Sequence, residues 1–150
     1  MKKVRIMLLS ILFLFFAGST FAAGSNYVKL QQTLKGYFND MSGNVQKAET
    51  PAEKREILSS SLNKVKDVLN TAENLAAKTD ADREFINNYR NDINDKLAEL
   101  NGTDGYEKVS DSNLNDFANY VQQDMEQADR YITLSLTTIL LIIIIIILLA

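Results

Sequence analysis

The sequence predicts an all-α protein: an up-down helical bundle of three to four helices, with the last helix continuing into a C-terminal transmembrane helix. Three observations lead there. Apolar residues recur at alternating steps of three and four over most of positions 27 to 128, which is the period of one helical face and of coiled-coil packing. Helix stop and start signals divide that pattern at short intervals, and singly striped helices on short connections are the signature of an up-down bundle. The final segment, Tyr131 to Ala150, reads YITLSLTTILLIIIIIILLA and carries no charge.

At the amino end, Lys2, Lys3 and Arg5 precede an apolar run from Ile6 to Ala17 and a small-residue exit from Gly18 to Ala23. This is the layout of an export signal, with cleavage expected between Ala22 and Ala23. Residues 1–22 are therefore read as a signal peptide of bacterial type. Residues 23–130 are read as an extracytoplasmic helical bundle and residues 131–150 as the transmembrane helix. The expected location is the cell membrane, crossed once, with the N-terminal domain outside the cytoplasm, in the periplasm or the extracellular space.

The first helix carries Tyr27, Leu30, Leu34, Tyr37, Met41, Val45 and Ala48 on one stripe, weakened by Gly36 and Gly43 at about 1 kcal/mol each. It should stop near Glu49. Thr50-Pro51-Ala52-Glu53 then combines a capping box with Pro at the first helical position, where its missing N–H is not needed. The second helix presents Leu58, Leu62, Val65, Leu69, Ala72 and Ala76. Thr79-Asp80-Ala81-Asp82 resembles another amino cap, so a turn is expected there and not one continuous rod. Ile86, Tyr89, Ile93, Leu97 and Leu100 form the third stripe, and Gly102 offers a left-handed stop. A loop follows to Ser110. The last helix begins near Ser112 with Leu114, Phe117, Val121, Met125 and Ala128, and is expected to run unbroken into the tail.

The tail supports the membrane expectation by its length and content. Twenty helical residues span about 30 Å, the thickness of a bilayer's hydrocarbon core. Fourteen Ile and Leu residues between Ile132 and Leu149 contribute about −0.4 kcal/mol each on an insertion scale, with no charge to offset them. Arg130 and Tyr131 suit the membrane interface, the ring at headgroup level and the guanidinium reaching phosphate. Thr133, Ser135, Thr137 and Thr138 are candidates for contact with another helix inside the membrane, in competition with bonds to their own preceding turn.

Composition narrows the chemistry. The chain has no Cys and no His, which removes disulfides, thiol nucleophiles and the commonest general base. Its net charge of −3 becomes −6 without the three basic signal residues, an unfavourable balance for binding nucleic acid. The acidic groups Asp80, Asp82 and Glu84, Asp92 and Asp95, Asp104 and Glu107, and Asp124, Glu126 and Asp129 alternate with basic and amide residues and are read as solvated faces. Asn101-Gly102-Thr103 fits a sequon but is read as a helix cap. Ser59 to Ser61 near Lys64 have only the spacing of a Ser-Lys pair. No catalytic residue, cofactor or metal site is expected.

The expected function is that of a non-enzymatic interaction or structural module of the cell envelope. Its expected partners are the lipid bilayer and, in the membrane, another protein or a second copy of the chain. Two alternatives remain open at this level: a helical protein that holds a lipid, small molecule or unfolded client between its helices, and a pore-forming membrane oligomer.

Overall fold

A computed structural model of the protein describes residues 23–127 and 134–149, and these are all-helical. The residues read as the export signal lie outside them, as do Arg130, Tyr131 and Thr133. Among the described residues there are five α-helices: α1 (Ala23–Lys47), α2 (Pro51–Leu75), α3 (Asp80–Asn101), α4 (Leu114–Gln127) and α5 (Leu136–Leu149). A single 3-10 turn, Asp111–Asn113, leads into α4.

The first two junctions form where the caps predict. Thr50 accepts the Glu53 N–H at 3.2 Å while the Glu53 carboxylate accepts the Thr50 N–H at 3.3 Å, so α1 ends and α2 restarts within three residues. Thr79 and Asp82 repeat the same reciprocal box at the start of α3, so residues 51–101 form two helices and not one rod. Gly102 ends α3 in the left-handed conformation (φ 70°, ψ 47°), and the N–H groups of Gly102 and Thr103 both bond to the Ala98 carbonyl.

Helices α1 and α2 are central. α1 packs against α2, α4 and α5, while α2 packs against α1, α3, α4 and α5. The core between them takes the predicted stripes almost whole: Leu30, Leu34, Met41 and Val45 from α1, Leu58, Leu62, Val65, Leu69 and Ala72 from α2, and Ile86, Tyr89, Ile93 and Leu100 from α3. Phe38 is buried where the stripe favoured Tyr37, whose ring stays half-buried and donates its hydroxyl hydrogen to the Ser61 carbonyl. Burying each large side chain contributes about 1.5–3 kcal/mol, so this shared apolar seam provides the stabilisation and the caps set its ends.

The connection from α3 to α4 is a fastened loop. Arg55 of α2 donates to the carbonyls of Leu100 (2.9 Å) and Val109 and pairs with Asp111 at 2.7 Å, and the Val109 N–H reaches the Glu99 carbonyl. One guanidinium thus holds the end of α3, the loop and the start of α4 against α2.

The structure corrects the expectation that α4 runs unbroken into the tail. Leu134 and Ser135 are not helical, and α5 begins afresh at Leu136 with 14 residues. At 1.5 Å per residue it is about 21 Å long, short of a hydrocarbon core of about 30 Å. Among the described residues no helix is long and apolar enough to cross a membrane. Instead α5 lies along α1 and α2, so the described residues form five helices where a bundle of three to four was expected.

Gly102 tests the loop. A Cβ there would sit 2.7–2.9 Å from the Cβ and backbone of Lys108, in a conformation that already disfavours side chains. Gly102→Ala should lower unfolding stability by about 2 kcal/mol in urea titration, and an unchanged midpoint would refute this account of the loop.

Candidate functional site

Three helix ends meet where α5 begins, and their backbone groups are satisfied by one polar cluster. α2 ends at Ala76 and α3 starts after Thr79, which brings the last carbonyls of one and the first N–H groups of the other to the same end of the bundle. α5 adds a third end. Ser135 caps it: its hydroxyl oxygen accepts the Thr138 N–H at 3.4 Å, and its carbonyl accepts the Ile139 N–H at 3.1 Å.

Asp82 joins two of these ends. One carboxylate oxygen accepts the N–H groups of Thr79 and Lys78, at 3.2 and 3.3 Å, within its own helix start. The other accepts the Ser135 N–H at 2.7 Å, doing for α5 what a carboxylate three residues into a helix does in a capping box. Thr138 joins the third end by donating its hydroxyl hydrogen to the Ala76 carbonyl at 3.2 Å. With that proton committed, Ser135 is the donor in the 2.9 Å contact between the two hydroxyls.

Asp82 and Thr138 are both fully buried. Burial alone would push the Asp82 carboxyl up, but the donors from Ser135 and Thr79 outweigh it and hold the group below the ordinary 3.8. The reading of Asp82 as part of a solvated acidic face is therefore corrected; Asp80 and Glu84 on either side of it are exposed. Beyond this cluster the tail is held by apolar contact. Ile139, Ile142, Ile143 and Ile146 are buried, and at about 1.5–3 kcal/mol each they outweigh the hydrogen bonds, which sum to a few kcal/mol. The polar cluster sets where the helix starts, and the isoleucines hold it.

Of the six residues singled out in and beside the tail, the structure brings Ser135 and Thr138 together and leaves Thr137 exposed. Both hydroxyls in the cluster bond within this chain, to the helix start and to α2.

A second polar cluster, not anticipated from sequence, joins α3 to α4. The Lys96 ammonium is buried and lies 2.9 Å from Asp124 and 3.4 Å from Glu99; it also donates to the Tyr120 hydroxyl and sits 4.0 Å from the centre of that ring. Burial works to lower its pKa, but Tyr120, Asp124 and Glu99 outweigh it and raise the value above the ordinary 10.5. A lysine held protonated in this way supplies a fixed positive charge and no free amine, so the arrangement is a clamp between helices. Beside it, burial and the charges of Asp124 and Asp95 push the Asp92 carboxyl up while Lys96 opposes them. Among the described residues no group of three or more acidic side chains is placed to hold a metal ion.

The chain has no match among protein-family models, curated proteins or solved structures.

Two outcomes follow from the charges. A carboxyl whose pKa falls on folding adds stability above its ordinary 3.8 and loses it as the pH drops through the lowered value. Asp82→Asn should therefore cost about 1–2 kcal/mol at neutral pH, and urea titrations of variant and parent should converge in strong acid; a pH-independent gap would refute the charge's role. Lys96→Met removes the one cation that lowers Asp92, so carboxyl NMR should show Asp92 titrating still higher.

Proposed function

We propose that the chain is a membrane-anchored helical-bundle protein of the cell envelope, acting outside the cytoplasm as a non-enzymatic interaction or structural module. The observation that carries the reading is the surface of α5. From Ile139 to Leu149 the helix has no polar residue on any side. The bundle covers one face; Leu140, Leu141, Ile144 and Ile145 are half-buried, and Ile147 and Leu148 are 61% and 78% exposed. A helix apolar all round calls for an apolar surrounding on every side, which the bundle does not supply and a bilayer does.

In this reading Tyr131 to Ala150 forms one membrane-spanning helix, with Arg130 and Tyr131 at the interface. The basic and apolar leader directs the domain across the membrane. The bilayer is the first partner. The second is a protein or another copy of the chain, met in the membrane by the edge bearing Thr133, Ser135, Thr137 and Thr138, or outside it by the exposed helix faces.

Alkaline carbonate washing of membranes from cells making the full chain tests the anchor. The protein should stay in the membrane pellet, and a chain stopped after Arg130 should be released; release of the full chain would refute anchoring. Crosslinking in the same intact membranes should give discrete adducts, whereas a monomer alone would count against an interaction module.

A further inference from the structure

We propose that the groove between α1 and α2 is a reversible dock for the C-terminal helix, which holds the tail in water and releases it into a lipid bilayer. The inference rests on the anchoring proposed above and adds a second place for the same segment. It is drawn from how α5 is held. Its buried face, Ile139, Ile142, Ile143 and Ile146, lies against the bundle, while beyond Thr137 in its first turn the outer face presents only Ile and Leu to solvent. From Ile139 on, a groove that covers one side of an all-apolar stretch shelters it without satisfying it. A bilayer covers both faces at once.

The attachments have the distribution a releasable element needs. Among the described residues, the polar ties between the α5 segment and the rest of the bundle are the Asp82–Ser135 and Thr138–Ala76 hydrogen bonds, at its N-cap and in its first turn. From Ile139 onward the contacts are apolar, and apolar contact is non-directional. Breaking one end frees the rest to slide or peel away. Transfer also needs the helix to lengthen: Leu134 and Ser135, now outside it, must become helical for the segment to reach from Tyr131 to Ala150. The Asp82 carboxylate opposes that step, because it fixes the Ser135 N–H as a helix start. In water both the groove and the tail would be exposed by release, so the docked arrangement holds until an apolar phase is at hand.

The bilayer is the occupant favoured over the tail of a second copy because a copy's groove would cover the same single face. The exposed Ile147 and Leu148 would remain uncovered.

The chain has no cysteine, so a pair introduced at Ala76 and Thr138 is unique. The Ala76 carbonyl and Thr138 hydroxyl oxygens are 3.2 Å apart, so the two residues are neighbours, to be bridged by a disulfide where the Cβ atoms allow and by a short bismaleimide otherwise. Full-length Ala76→Cys/Thr138→Cys protein in detergent-free buffer should crosslink within one chain. When phosphatidylcholine vesicles are added and floated, the oxidised protein should co-float about tenfold less than the same sample after reduction. Asp82→Asn in the unlinked chain should raise co-flotation. Failure of both the disulfide and the bismaleimide, with flotation intact, would overturn the dock and leave anchoring standing. A crosslink only between two chains would overturn it in favour of tail exchange. Equal flotation of oxidised and reduced protein would also overturn it. If the reduced protein does not float and carbonate releases the full chain from cell membranes, anchoring itself fails.

Discussion

The arrangement of the last helix depends on one buried carboxylate that serves two helix starts. Asp82 closes the capping box of α3 and, from its other oxygen, accepts the first N–H of the α5 cap. Without the second bond, the helix start would rest on the local Ser135–Thr138 cap alone, with nothing to tie it to α3. With it, α5 starts after Ser135 and lays its isoleucines along α1 and α2. The tail's energy is mostly hydrophobic, but hydrophobic contact does not choose a register. The polar cluster does.

Much of the bundle was legible in the sequence because its signals are local. Thr50-Pro51-Ala52-Glu53, Thr79 with Asp82, and Gly102 each act through backbone groups a few residues away, and each marks the observed boundary. The stripe on α2 needed only its own period. What was not legible depends on residues distant in sequence. Lys96 reads as an ordinary helical lysine until Tyr120 and Asp124 are brought beside it by the return of α4. Asp82 has the same local pattern whether its cap is exposed or buried, and the partner of its second oxygen, Ser135, lies fifty-three residues on.

The tail shows the same limit from the other side. Hydropathy reads Tyr131 to Ala150 as one segment because it sums residues and ignores where a helix begins. Ser135 and Thr138 carry a local signal for a start, a hydroxyl at the cap and a hydroxyl three residues on, which competes with the run of Ile and Leu around them. Their partners in the fold are a carboxylate on α3 and a carbonyl on α2.

The helix ends gathered around Asp82 are not balanced in their dipoles. At the end where α5 begins, α3 and α5 present N-termini and α2 its C-terminus, so among these three ends N-termini outnumber C-termini. An uncompensated N-terminus carries about half a positive elementary charge. Asp82 sits at that end, fully buried, and among the described residues no Lys or Arg forms an ion pair with it. Its counter-charge is therefore the peptide backbone itself, and the fifth helix supplies the part that a four-helix bundle would lack.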